Sequence, residues 1–274
     1  MNILGRVLRK IKRIVFEPKI KIKWVPNLIN LGSSYGGWTF LDSEHLQNCT
    51  IVSAGLGEDA SFDILFAGRY GAKVLIVDPT PRAIDHFHQV QARFGQRSLV
   101  SYVLHGKQPL EAYELSTITN DNLVLIEKAM WINDDPVRLY KPANPAHVSL
   151  SITNFYGNYS QDAPYMEAPS ITVKEIMRLY GLTTVPILKI DIEGVETEVL
   201  HGMVADGIIP DQILVEFDEI HYPSWRVKRK FERCDAMLRS NGYVCVNQHD
   251  VNFTYVQERL CAMPSSLKTA GGKA

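Results

Sequence analysis

The chain has 274 residues, 46% apolar and 22% charged, with a formal net charge of −1. That length buries a sizeable core without disulfides or metal staples, and the near-neutral balance gives no bulk electrostatic footprint for nucleic acid. Cys49, Cys234, Cys245 and Cys261 form no C-x-x-C pair, which speaks against both a disulfide framework and a zinc site and fits a reducing cytoplasm.

Residues 1–30 read as a basic amphipathic extension. Within the first 23, Arg6, Arg9, Lys10, Lys12, Arg13, Lys19, Lys21 and Lys23 face only Glu17. Ile3, Leu4, Val7, Leu8, Ile11, Ile14 and Val15 recur at helical spacing. Such a helix either packs on its own domain with a solvated basic face or lies on an anionic membrane surface. The basic residues leave no clean apolar core for a signal peptide, and no apolar run is long enough to span a bilayer. Cytoplasmic residence is expected, with residues 1–23 as the place for any peripheral membrane contact.

A turn-rich stretch, Leu31–Trp38, follows, with Gly36 and Gly37 beside two aromatics. Thr50–Ala54 reads as a buried strand ending in glycine, Glu58–Tyr70 as a helix, and Lys73–Val77 as a second buried strand. Pro81–Phe94 reads as a helix with proline in its first turn, where the missing N–H is tolerated. Residues 95–121 show no clear period. Asn122–Lys128 reads as a third strand, and Pro136–Tyr140 and His147–Ile152 as extended pieces. Thr172–Tyr180 is a helix stopped by Gly181, Pro186–Ile190 a strand, Val195–Val204 a helix and Gln212–Phe217 a strand. Trp225–Ser240 is an amphipathic helix stopped by Asn241-Gly242, and Tyr243–Asn247 with Asn252–Gln257 closes the fold as a pair of strands. This alternation predicts a Rossmann-like α/β fold: a mostly parallel seven-stranded sheet, helices on both faces, and an antiparallel C-terminal edge hairpin. Residues 263–274 read as a frayed tail.

Two segments point to a nucleoside ligand. In Ile51-Val-Ser-Ala-Gly55-Leu-Gly57-Glu58-Asp59 a strand runs into a Gly-x-Gly turn ahead of a helix. In Val74-Leu-Ile-Val-Asp78-Pro79 an acid closes the second strand, where such sheets place the carboxylate that binds ribose hydroxyls. Asp78 also suits the N-cap of the following helix. Glu58 and Asp59 open the first helix in this reading, and two carboxylates there repel a pyrophosphate. A sulfonium nucleoside, cationic and free of phosphate, suits them better than a dinucleotide.

The chain resembles the FkbM family of S-adenosylmethionine-dependent methyltransferases. The matching segments are Tyr35-Gly-Gly-Trp38, Ser53-Ala-Gly-Leu-Gly-Glu-Asp59, Val77-Asp-Pro-Thr-Pro81, Ala146-His-Val-Ser-Leu-Ser151, Leu188-Lys-Ile-Asp-Ile-Glu-Gly-Val-Glu196 and Ile213-Leu-Val-Glu-Phe217. They cover roughly residues 30–255 in the family's order, while residues 95–121 and the basic N-terminus match poorly. The resemblance implies a class I methyltransferase domain over residues 31–262. It implies that Gly55, Gly57 and Glu58 contact the methionine part of S-adenosyl-L-methionine and that Asp78, followed by Pro79, holds the ribose. Tyr35, Gly36 and Gly37 would close over the cofactor, and Glu127 or its neighbours would lie near the adenine.

The chemistry has its own candidates. Asp191 and Glu193 end a buried strand, so Asp191, Gly55 and Asp78 are expected on one rim, at the carboxyl ends of the strands. Asp191 could take a proton from a hydroxyl acceptor, orient it, or share a divalent cation with Glu193; either acid could instead cap the next helix. Glu216 and Asp218, followed by His221, end the next strand and reach the same rim, and His147 is a candidate on the acceptor side. Oxygens from Asp191, Glu193 and Glu216 suit Mg²⁺, and metal dependence stays open. The expected reaction is O-methylation of a small molecule or a saccharide. An NAD-dependent oxidoreductase and a non-enzymatic membrane-peripheral protein are the competing readings, and oligomeric state is not legible.

Overall fold

The buried strands send successive side chains to opposite faces, and each face builds its own core. The computed structural model describes Phe16 and residues 19–141, 150–154 and 163–262. An antiparallel pair, β1 (Leu28–Leu31) and β2 (Trp38–Leu41), comes first. β3 (Thr50–Ala54), helix α1 (Ser61–Tyr70), β4 (Lys73–Val77), α2 (Pro81–Gln91) and β5 (Leu123–Ile126) form the first strand–helix alternation. Four short strands make a side excursion: β6 (Ala129–Met130), β7 (Val137–Tyr140), β8 (Tyr165–Ala168) and β9 (Ser170–Ile171). α3 (Val173–Tyr180), β10 (Ile187–Ile190), α4 (Glu196–Ala205), β11 (Gln212–Glu216), α5 (Trp225–Ser240), β12 (Tyr243–His249) and β13 (Asn252–Gln257) complete the order.

The main sheet has seven strands in the order β12–β13–β11–β10–β3–β4–β5. The five strands from β11 to β5 pair in parallel, and β13 runs antiparallel between β11 and β12. Val52, Leu75, Leu188 and Ile213 point to one face and pack with Ile176 of α3, Leu200 of α4 and Phe231 of α5. Ile51, Val74, Ile187 and Leu214 point to the other and pack with Phe62 and Phe66 of α1 and Phe87 of α2. The result is a mixed α/β fold with a mostly parallel seven-stranded sheet, compatible with a methyltransferase fold. From β3 the chain moves outward to β5, then returns to β10 on β3's other side. Such a reversal opens a crevice at the carboxyl ends of the strands.

Several local expectations shift. α1 begins at Ser61 rather than Glu58, because the Asp59 carboxylate accepts from Ser61 N (2.9 Å) and ends the loop there. Glu58 and Asp59 therefore precede the helix. The stretch 31–38 is the connection of a hairpin, β1–β2, whose four-residue strands are too short to show a period. Residues 95–121 carry only a short 3₁₀ turn, Leu110–Ala112, yet bury Tyr113, Leu115 and Ile118 in the core of α1 and α2. The extended piece at His147–Ile152 falls largely outside the described residues; within them, Ser151 bridges Tyr140. Most of the basic N-terminal helix and the tail from 263 onward also lie outside them. Ile22 bridges Cys245, and Val25 packs on Val246 and Val256, which ties the entry of the chain to the sheet edge. No described helix is long and apolar enough to cross a membrane.

Candidate active site

Strand register lines up one rim. Ala54 is opposite Val77 and Ile190, Val77 is opposite Ile126, and Ile190 is opposite Val215. The next residue of each strand, Gly55, Asp78, Glu127, Asp191 and Glu216, therefore falls on a common edge. A cleft of about 660 Å³ opens there. Tyr35, Gly36, Gly37, Gly55, Gly57, Glu58, Asp78, Pro79, Asp191, Glu193 and Glu216 all line it.

The glycine elbow is held from below and behind. Gly55 has φ +86°, and a Cβ on it would stand 1.8 Å from the carbonyl oxygen of Asp191, so strands β3 and β10 meet here with no space for a side chain. Asp78, 5% exposed, accepts from Leu56 N (2.9 Å) and Gly57 N (3.1 Å) through Oδ2, and from Thr80 N (2.8 Å) and Thr80 Oγ1 (2.7 Å) through Oδ1. Those four donors fill the acceptor sites of a carboxylate. Any further donor must displace one of them, and the Thr80 hydroxyl is the one side-chain donor of the four.

The lid side of the elbow is pinned by Ser33. Its Oγ donates to Asp59 Oδ2 (2.6 Å) and accepts from Tyr35 N (3.1 Å) and Gly36 N (2.9 Å). A Cβ on Gly36 would lie 2.7 Å from the Asp59 carboxylate, which would have to move from its bond to Ser33 to make room. Glu58 is flanked by Lys107 Nζ (3.5 Å) and Arg82 Nη1 (3.9 Å). The local charge is thus closer to balanced than Glu58 and Asp59 alone suggest, and the electrostatic case against a phosphate ligand is weaker in the fold than along the chain.

Lys189 underlies the elbow. It is 4% exposed, and its ammonium donates to the carbonyls of Ala54 (3.2 Å) and Gly55. It stands 3.9 Å from Asp191 Oδ2 and 5.3 Å from the Trp38 ring centroid. Asp63 of α1 is buried nearby. Burial raises its carboxyl to about 6, against the opposing pull of Lys189.

Across the cleft the acids crowd. Burial raises the Glu216 carboxyl to about 9, with Asp191 and Glu193 adding like-charge repulsion. Burial likewise raises Asp218 to about 11 and Glu196 to about 8. Asp191 is also raised by burial, but Lys189 opposes the shift. Tyr35, 59% exposed, lines the same cleft, and partial burial, then Asp191, Glu216 and Glu193, raises its hydroxyl. Glu193 has φ +64°, an uncommon conformation for a residue with a side chain, and its carbonyl accepts from Ser151 Oγ.

The sequence profile of the methyltransferase FkbM domain matches residues 9–245. The chain belongs to the FkbM methyltransferase family. No curated protein matches its sequence.

In this FkbM methyltransferase the elbow, the Tyr35 turn and the acids of three strand ends share one cleft. Glu127 is exposed and outside the cleft lining; Ala129 and Met130, just after it, take that place. His147 lies outside the described residues, and His221 and His249 are the described histidines that reach the lining. Among the described residues, two groups bring metal-binding atoms within 4.8 Å of one another: Asp191, Glu193 and Asp218, and Glu216, Asp218 and His221. Sequence reasoning missed Lys189, although a lysine inside the apolar strand Ile187-Leu-Lys-Ile190 was the available signal. It also missed Lys107 and Arg82, whose pairing with Glu58 depends on tertiary structure.

Proposed function

We propose that the cleft binds S-adenosylmethionine and that the protein methylates a hydroxyl group of a small molecule or a saccharide. The observation that carries this reading is the shared rim: Gly55, Asp78, Asp191 and Glu216 end neighbouring parallel strands and face one cleft. A nucleoside fits the elbow because the backbone there is bare and Asp78 closes it. The Asp191 carboxylate opposite, beside Lys189, suits a cationic sulfonium. The cofactor supplies an electrophilic methyl group with a good leaving group.

The protein's part is alignment, water exclusion and handling of one proton. Aligning acceptor and methyl lowers a barrier by up to about 7–11 kcal/mol. Asp191 is the base in this reading, because Lys189 at 3.9 Å favours its charged form. Glu216, raised to about 9, holds its proton at neutral pH and can donate a hydrogen bond to the acceptor. Trp38, Met130, Leu139, Leu150 and Ile152 give the cleft an apolar wall.

The test is incubation with methyl-labelled S-adenosylmethionine and a panel of polyols, phenols and sugars. Label in an ether product, strongly reduced in Asp191→Asn, is expected. Label recovered only on amines would overturn the hydroxyl assignment.

A further inference from the structure

The acid group across the cleft holds a feature that proton transfer to Asp191 leaves unexplained. Asp218 is 7% exposed, its Oδ2 has no hydrogen-bond partner, and no ion pair to it exists among the described residues. A buried carboxyl oxygen with no partner is costly unless a proton or a cation completes it. Asp218 follows β11, while Asp191 and Glu193 follow β10, so two neighbouring parallel strands bring the three together. Each offers one oxygen, and these lie within 4.8 Å of one another. Oxygens on opposite sides of a Mg²⁺-sized ion stand about 4.2 Å apart, from a metal–oxygen distance of about 2.1 Å. The group therefore closes around such an ion with small side-chain movement. Glu193 reaches it from its left-handed turn, and its carbonyl is tied back by Ser151.

We propose that Asp191, Glu193 and Asp218 form a binding site for one divalent cation of the Mg²⁺ and Mn²⁺ class. An all-oxygen set of hard donors suits these ions. Glu216 and His221 form the alternative set with Asp218, but the imidazole is exposed and needs no ion to satisfy it. Two of the three proposed ligands, Asp191 and Glu193, line the cleft, so a bound ion would border the acceptor space. There it would hold a hydroxyl oxygen and favour transfer of its proton to the uncoordinated oxygen of Asp191, a use that rests on the methyltransferase reading. The binding itself does not.

The experiment strips the full chain with chelator and titrates MnCl₂, following the paramagnetic signal of free Mn²⁺. A single ion per chain with micromolar affinity is expected, weakened at least about tenfold in Asp218→Asn and in Glu193→Gln. His221→Ala should leave the affinity within about twofold. Urea unfolding of each variant checks the fold, and Glu193→Gln, at a partly exposed turn, serves if Asp218→Asn does not fold. No binding at millimolar Mn²⁺, unchanged affinity in both carboxylate variants, or loss in His221→Ala overturns the assignment. S-adenosylhomocysteine binding measured on the stripped protein separates the two ideas. If it is retained while Mn²⁺ fails to bind, the ion site falls and the methyltransferase reading stands; the converse result does the reverse.

Discussion

A methyl group at position 55 would collide with the backbone of β10 rather than with a movable side chain. Gly55→Ala must therefore separate β3 from β10 and also hold alanine at φ +86°. We predict a loss of about 3 kcal/mol, from roughly 1–2 for the left-handed backbone and 1–3 for overpacking. Urea midpoints will show it, and an unchanged midpoint would mean that the two strands do not meet as described. Lys189 is the second residue on which the elbow depends. Lys189→Met keeps the apolar stem but removes the donor to Ala54 and Gly55 and the charge beside Asp191. A cost of roughly 1–3 kcal/mol is expected, from backbone carbonyls left without their donor. At this scale Gly55 and Asp78 were legible because each directly follows a strand, and Gly57 because it completes the Gly-x-Gly turn after one. Lys189 was not, since an apolar run of four absorbs one lysine without changing its period. Asp78 was legible as an acid at the rim, but its saturation by four donors depends on the folded loop.

At the scale of elements, α1 and α2 each bury a titratable group, and the two act in opposite directions. His86 of α2 is fully enclosed and stands 2.9 Å from the Tyr113 hydroxyl, which accepts from Ala60 N at the start of α1. Burial, aided by Lys107, lowers the imidazole from 6.5 to about 4. Between those values the unfolded chain binds the proton that the folded chain refuses, so this contribution to stability falls as pH falls. Asp63 of α1 is raised from 3.8 to about 6, and the folded chain keeps a proton that the unfolded chain releases, so its contribution falls as pH rises. Each is worth on the order of 3 kcal/mol at full effect, and over about pH 4–6 they offset each other. Relative to wild type, Asp63→Asn should gain stability as pH rises through that window and His86→Phe should gain as it falls. Urea titrations at pH 4, 5 and 6 test this, and variant curves running parallel to wild type would contradict it. The strand–helix alternation was legible because its apolar runs are long and bounded by glycine and proline. The pairs β1–β2 and β6–β9 were not, because two to four residues carry no period. β6 also finds its partner some forty residues away (Ala129 beside Ser170). The Tyr113–His86 link was hidden for the same reason: residues 95–121 are held by side chains and not by a repeating backbone.

For the whole molecule, the order of strands explains why one cleft exists. Moving outward from β3 to β5 and returning to β10 leaves the crevice between two loops that the sheet holds rigidly. The elbow and Asp78 stand on one side, and Asp191, Glu193 and Glu216 on the other. The sequence implied this rim from three strand ends, and the register aligns them. What it could not reveal was depth: which acids are buried, which are paired, and that Asp218 rather than Glu216 is shared by both candidate metal groups. In the proposed reaction a sulfonium nucleoside occupies the crevice with its sugar at Asp78. Isothermal calorimetry with S-adenosylhomocysteine tests it most directly. Binding is expected, weakened at least tenfold in Asp78→Asn, or about 1.4 kcal/mol. No heat of binding at millimolar ligand from a folded wild-type chain, or equal affinity in Asp78→Asn, would contradict it.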